Sequence, residues 1–220
     1  MRWLVVHYCI FFVYTLSFAS TFKQNYDANG KNIIILGDSF FTSEKNISTN
    51  QDLKQVLAEH FNSQNIFNFA IDGGRYLINN SEFNEYDILS KYFRYNWDLI
   101  ILGGGANDFE LCNLNQTCLS STKVSIQNKI RDFLSAIGDQ NVYFVYSSVV
   151  SNQAPAEWKQ MINAGGGKLI KGMYLKLASE NVKYHYIDLG EEMQSDKKFW
   201  LEDGYHPSIE AYKLIPKYLN

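Results

Sequence analysis

Five short extended runs, separated by segments of helical periodicity, constrain this 220-residue chain more than any other feature. "NIIILG" (32–37), "DLIILGGG" (98–105) and "NVYFVYSSVV" (141–150) are nearly continuous apolar stretches stopped by Gly or Ser, and "NIFNFA" (65–70) and "VKYHYIDL" (182–189) are weaker examples. Such runs suit strands buried on both faces. Between them, "QDLKQVLAEHFN" (51–62) places Leu53, Val56, Leu57 and Phe61 at helical spacing, and "KVSIQNKIRDFLSAIG" (123–138) reads as an amphipathic helix ended by Gly138. Further helices are expected near Tyr86–Phe93, over Lys168–Ser179 and from about Pro207, where proline suits a first turn. Strands alternating with helices predict an α/β fold whose parallel sheet is covered on both faces.

In such sheets, sites gather at the carboxyl ends of the strands. Ser39 follows the first strand, Gly73 the second and Asn107 the third. With 46% hydrophobic residues and no linker or internal repeat, the chain is one domain. Its net charge of −3, with both signs scattered, argues against DNA or RNA as partners.

The first residues, "MRWLVVHYCIFFVYTLSFAS", give a positive charge at Arg2, an apolar run and then Ser17-Phe18-Ala19, the small-x-small pattern of a signal-peptidase site. The expected organisation is a signal peptide over 1–19, a lead-in over 20–30 and the domain over 31–220. The product is then secreted or periplasmic, with no stable membrane insertion after cleavage. The alternative is an anchor formed by the uncleaved signal, although His7 and Tyr8 interrupt the run. Once the signal is removed, Cys112 and Cys118 in "CNLNQTC" are the remaining cysteines, and in an exported chain they pair most simply as a disulfide. Two free thiols are the other possibility, and no neighbouring ligand pattern supports zinc.

Near the C-terminus, "LEDGYHPS" (201–208) sets Asp203 and His206 three residues apart, so one turn brings a carboxylate beside an imidazole. With Ser39, the residue types for nucleophilic acyl transfer are present: serine attacks, histidine takes and returns the proton, and aspartate orients the ring. Negative charge on the attacked carbonyl needs waiting donors. "AIDGGR" (70–75) and "GGGAND" (103–108) supply them through the Gly73 N–H and the Asn107 side chain, with the Ser39 N–H as a third.

Gly37-Asp38-Ser39, Gly73, Gly105-Ala106-Asn107-Asp108 and Asp203-Gly204-Tyr205-His206 together resemble the four motif blocks of the SGNH hydrolases, also called GDSL esterases and lipases. The resemblance implies a three-layer α/β/α sandwich with a flavodoxin-like parallel five-stranded sheet. It also implies Ser39, Asp203 and His206 as the catalytic residues, an oxyanion hole from Ser39, Gly73 and Asn107, and no metal or organic cofactor. In the second block this chain reads Asn68-Phe69-Ala70-Ile71-Asp72-Gly73, where the family often has Asn-Ala-Gly-x-Ser-Gly, and Gly74 follows directly, so the donor could slip by one. Asp72 adds an acid near the pocket, which disfavours anionic substrates.

Taken singly, Ser39 reads as a turn or capping serine and His206 as a cap before Pro207. Asp38 reads as a turn former, Arg75 as a solvated loop charge or a head-group contact, and His60 and His185 as structural. The α/β-hydrolase pattern Gly-x-Ser-x-Gly fails, because Phe41 stands at its last glycine. "NAGGGKLIKG" (163–172) is a glycine-rich turn, lacking the Ser or Thr of a phosphate loop. The expected activity is hydrolysis of a carboxylic ester, acetyl, short-acyl or lysophospholipid, on a small-molecule, lipid or glycan substrate. Acyl transfer to a sugar or alcohol is the rival within catalysis, and a silent binding protein on the same fold the rival outside it. Oligomeric state is open.

Overall fold

A computed structural model describes residues 30–42, 53–77, 96–193 and 196–219. Its strands are β1 (Ile33–Leu36), β2 (Ile66–Asn68), β3 (Leu99–Leu102), β4 (Val142–Tyr146) and β5 (Tyr184–Asp188). They form one parallel sheet in the order β2-β1-β3-β4-β5, the flavodoxin-like arrangement, whose direction of strand addition switches between β1 and β3.

Alternation along the strands splits the core in two. Ile34, Leu36, Ile100, Leu102, Val142 and Phe144 face one layer, formed by α3 (Gln116–Ile137) and α5 (Gly166–Ala178). Ile33, Ile35, Leu99, Ile101, Tyr143 and Val145 face the other, where α1 (Leu53–Phe61) and α7 (Ile209–Tyr212) pack. Because both faces are covered, β1, β3 and β4 are buried at every position, which is why they read as unbroken apolar runs. Shorter α-helices among the described residues are α2 (Ala106–Glu110), α4 (Ala156–Asn163) and α6 (Gly190–Met193).

Several element boundaries depart from the sequence expectation. Helix α3 starts at Gln116 rather than Lys123, because the Asn115 side chain accepts the Cys118 N–H at 2.9 Å and caps it. Helix α5 starts at Gly166, two glycines earlier than expected. The turn itself is Gly165 (φ 104°); Gly166 and Gly167 are helical and lie against Met161 and Ser148, where a Cβ would come within 2.4 Å of Met161 Sδ and 2.6 Å of the Ser148 carbonyl. Pro207 does not open the last helix. It bridges to Trp200, and Ser208 caps α7 instead, its side chain accepting from Glu210 N. Helix α4 is not among the expected helices; only Met161 of it is buried. The expected helix near Tyr86–Phe93 and the leader over 1–19 lie outside the described residues. No helix among the described residues is long and apolar enough to cross a membrane.

Candidate active site

Strand β1 delivers Ser39 to the switch point through a tight turn. Asp38 closes it: its Oδ1 accepts the Phe40 N–H at 3.0 Å and its carbonyl accepts the Phe41 N–H at 3.1 Å. The two phenylalanines have separate tasks. Phe41 is fully buried, and its ring fills the space that side chains at Gly37 and Gly103 would need, since a Cβ there would lie 2.8 and 2.5 Å from it. Phe40 turns toward the site and tilts against Tyr146 at 6.0 Å. Their carbonyls are held from outside: Tyr212 donates its hydroxyl to Phe40 at 2.8 Å, and Asn68 donates Nδ2 to Phe41 at 2.8 Å.

The loop after β2 is tied to the same place by the Ile71 N–H, which donates to the Gly37 carbonyl at 2.9 Å. Gly73 sits there in the left-handed region at φ 70°, which glycine adopts without the steric cost of a Cβ. The turn consumes the N–H of Gly74, donated to Ile71 at 2.9 Å, and not that of Gly73. Asn107 is the second residue of α2, after β3, and is buried. One of its side-chain N–H groups donates to the Gly74 carbonyl at 2.9 Å, and an amide nitrogen carries a second. Asp108 then accepts the backbone N–H groups of Tyr76 and Leu77 at 2.9 and 3.0 Å, lacing α2 to the glycine loop. Burial raises the Asp108 carboxyl above its ordinary pKa despite those two bonds.

Asp203 and His206 meet as their spacing predicts. Asp203 Oδ2 lies 2.7 Å from His206 Nδ1, while Oδ1 accepts the backbone N–H groups of Tyr205 and His206, each at 3.0 Å. Burial pushes the Asp203 carboxyl up, but the hydrogen bonds from His206 and Tyr205 outweigh it and hold the pKa below the usual value. With Nδ1 facing the carboxylate, Nε2 presents the ring's other function; it is buried and makes no hydrogen bond among the described residues. Gly204 (φ 75°) lets the turn lie flat on the segment after β4: the Ser151 N–H donates to its carbonyl at 2.9 Å, and a Cβ would come within 2.5 Å of Ala154 N.

These elements converge on an open cleft of about 420 Å³, mouth included, lined by Ser39, Asn107 and His206 together with Asp38, Tyr146 and Trp158. Gly73 and Asp203 are not among the lining residues; Asp203 is joined to one of them by its bond to His206, and Gly73 adjoins Gly74, whose carbonyl accepts from Asn107. Trp158 stacks on Tyr205 at 5.1 Å and 12°, and Tyr205 in turn contacts His206 at 4.1 Å between ring centroids. Asp38 is a buried acid at the cleft floor, and loss of hydration pushes its pKa up to about 6. Burial, with Asp38 and Asp188 nearby, likewise drives the Tyr146 hydroxyl well above its ordinary pKa.

The model of the GDSL-like Lipase/Acylhydrolase family matches residues 33–219. The chain belongs to that family. Among solved structures, this GDSL chain is similar to the lipase/acylhydrolase from Enterococcus faecalis (18% identity, TM-score 0.62, covering 85% of this chain and 92% of that one). It is also similar to the inhibitor-bound M. smegmatis aryl esterase (18%, TM-score 0.56, 86% and 96%). A third is the family two carbohydrate esterase from Clostridium thermocellum in complex with cellohexaose (16%, TM-score 0.54, 85% and 61%). At these identities the likenesses establish the fold. No curated protein sequence matches the chain significantly.

Against the sequence reading, Asp38 does form the turn, but it is also a buried group of the cleft. Asp72 is exposed and outside the lining; its charge acts on the Tyr205 hydroxyl, whose pKa is raised by burial first and by Asp203 and Asp72 after it. Arg75 is only partly solvated, and its Nε–H donates to the Asn107 carbonyl at 3.1 Å. Trp158 and Tyr146 carry no motif, and only the packing reveals them. The Cys112 and Cys118 sulfurs lie 2.08 Å apart, Cys112 on the segment after α2 and Cys118 in the first turn of α3. His60 lies on α1 and His185 on β5, where it stacks on Tyr143.

Proposed function

We propose that this GDSL-family chain is an exported serine esterase that hydrolyses carboxylic esters through an acyl-Ser39 intermediate. One observation carries the reading: Ser39, Asn107 and a His206 already oriented by Asp203 line a single cleft at the sheet's switch point. In the first half-reaction Ser39 Oγ attacks the carbonyl carbon while His206 Nε2 takes the hydroxyl proton. The tetrahedral oxyanion is met by the Gly73 and Ser39 N–H groups and by Asn107 Nδ2. As the intermediate collapses, His206 returns the proton to the departing alkoxide, releasing the alcohol. Water then repeats the sequence on the acyl-enzyme, restoring Ser39 and releasing the acid.

Asp203 stays ionised throughout, stabilising the imidazolium that forms twice per turnover; its lowered pKa suits that task. The stacked Trp158 and Tyr205, next to the residue that protonates the leaving group, offer a flat apolar seat for the alcohol portion. Export and a Cys112–Cys118 disulfide follow from the leader and the cysteine spacing, and belong to the same proposal. The test is mass spectrometry of purified mature protein after a fluorophosphonate probe, beside Ser39→Ala. A single adduct on Ser39, absent from the variant, is the expected result; ester hydrolysis that survives intact in Ser39→Ala overturns the mechanism.

A further inference from the structure

The two elements that would stabilise the oxyanion come from different parts of the chain, the loop after β2 and the first turn of α2. A five-residue helix with no side-chain cap has little intrinsic stability. Beside the two bonds that Asp108 accepts from Tyr76 and Leu77, a reciprocal pair of bonds at Asn107 itself ties one to the other. The Asn107 side chain donates to the Gly74 carbonyl at 2.9 Å, and the Arg75 Nε–H donates to the Asn107 carbonyl at 3.1 Å. The guanidinium is half-buried and reaches on to Glu110 Oε2 at 3.5 Å, so it spans the length of α2 from Asn107 to its last residue.

We infer that Arg75 is a positioning residue, which acts through Asn107 to fix the separation of the Gly73 and Asn107 donors. This rests on the esterase reading of the site. A backbone carbonyl held by Arg75 cannot rotate without dragging the Asn107 Cα, so the clamp sets where Nδ2 points. The planar guanidinium suits the task, since its Nε–H and its terminal nitrogens leave in fixed directions toward Asn107 and Glu110. Lysine has a single rotatable head and cannot make both contacts in that geometry. The Glu110 contact is exposed and contributes little by itself. An arginine placed for anion capture would instead direct its donors at the cleft, and Arg75 does not line it.

The test is a double-mutant cycle with 4-nitrophenyl acetate, measuring kcat and KM for wild type, Arg75→Ala, Asn107→Ala and the double variant, with thermal melts to confirm folding. Arg75→Ala is expected to lower kcat by on the order of 10- to 100-fold at nearly constant KM, as displacement of a catalytic donor does. In the Asn107→Ala background the same change is expected to have no further effect. Arg75→Lys, which keeps the charge and guards against misfolding, should lie between, and millimolar guanidinium should partly restore Arg75→Ala. Equal losses in both backgrounds, or a loss confined to KM, would overturn the clamp. An Asn107→Ala variant with full activity would remove Asn107 from the oxyanion role, and with it the esterase assignment of that residue, whatever Arg75 does.

Discussion

The carboxylate of Asp203 binds His206 twice, Oδ2 to the ring Nδ1 at 2.7 Å and Oδ1 to the backbone N–H at 3.0 Å. One bond fixes the turn and the other fixes the imidazole, so the two functions are separable by mutation. In Asp203→Asn the amide oxygen can still accept the Tyr205 and His206 N–H groups, while its NH₂ faces Nδ1. The ring then favours the tautomer with hydrogen on Nε2, which cannot accept the serine proton. We expect kcat to fall by about 10⁴-fold, the loss seen when a triad aspartate becomes asparagine, while the protein stays folded with a melting temperature lowered only by the lost contribution of the charged carboxylate. Steady-state kinetics beside a thermal melt check it, and a loss below about tenfold would mean that Asp203 does not orient the base.

Asp38 has the opposite electrostatic history. Its folded pKa of about 6 lies above the ordinary aspartate value of 3.8, so between those values the native state holds a proton that the unfolded chain has released. Stability therefore falls as pH rises from about 4 to 6, and above that window burial of the carboxylate costs about 3 kcal/mol at 1.36 kcal/mol per unit. Asn can keep the bond from the Phe40 N–H without the charge. Asp38→Asn should match wild type near pH 4 and exceed it above pH 6. Urea denaturation at pH 4, 5, 6 and 7 measures this; parallel curves for the two proteins would show that Asp38 ionises as freely in the fold as in the unfolded chain. Asp203, with its lowered pKa, works in the reverse sense, contributing stability above the carboxylate range that is lost on acidification.

The strands and the site's residue types were legible because each leaves a local mark. A strand buried on both faces must be apolar throughout, and a carboxylate three residues before a histidine is a spacing visible in one line of sequence. Arg75, Trp158 and Tyr146 leave no such mark. Arg75 gains its meaning from a carbonyl thirty-two positions away, and Trp158 from a ring on the far side of the Ser151–Gly204 contact. Helix starts were misplaced for a related reason: at Asn115 and Ser208 a side-chain cap decides the boundary, whereas the apolar periodicity begins later or not at all. The glycines of 165–167 read as a turn, yet two of them are small because of what packs against them.

Gly103 illustrates the same close approach at the heart of the site. A Cβ there would meet Phe41 Cε2 at 2.5 Å and the Val145 carbonyl oxygen at 2.7 Å. The ring can shift slightly; the carbonyl belongs to β4, which is paired on both sides by β3 and β5, and cannot. Gly103→Ala is therefore expected to cost about 1–3 kcal/mol, as overpacking of a dense core does. Shrinking the ring as well, in Gly103→Ala/Phe41→Leu, should not restore stability, because the backbone clash remains. Urea midpoints for the two variants decide the matter, and full recovery in the double variant would place the whole conflict on Phe41.

Trp158 lines the cleft and stacks on Tyr205, which contacts His206, so its removal could act on the alcohol or on the base. The two effects separate by substrate. If the indole seats the alcohol, Trp158→Ala should raise KM for cyclohexyl acetate by about 2- to 10-fold, the worth of one aromatic contact, and leave ethyl acetate nearly unchanged. If it instead buttresses the imidazole, kcat should fall equally for both esters, because the acyl group and the chemistry are the same. The stack is parallel and both rings are only half-buried, an arrangement that keeps apolar surface available at the cleft. We therefore expect the KM effect, selective for the ring-bearing alcohol, and a uniform loss in kcat would reassign Trp158 to holding His206 in place.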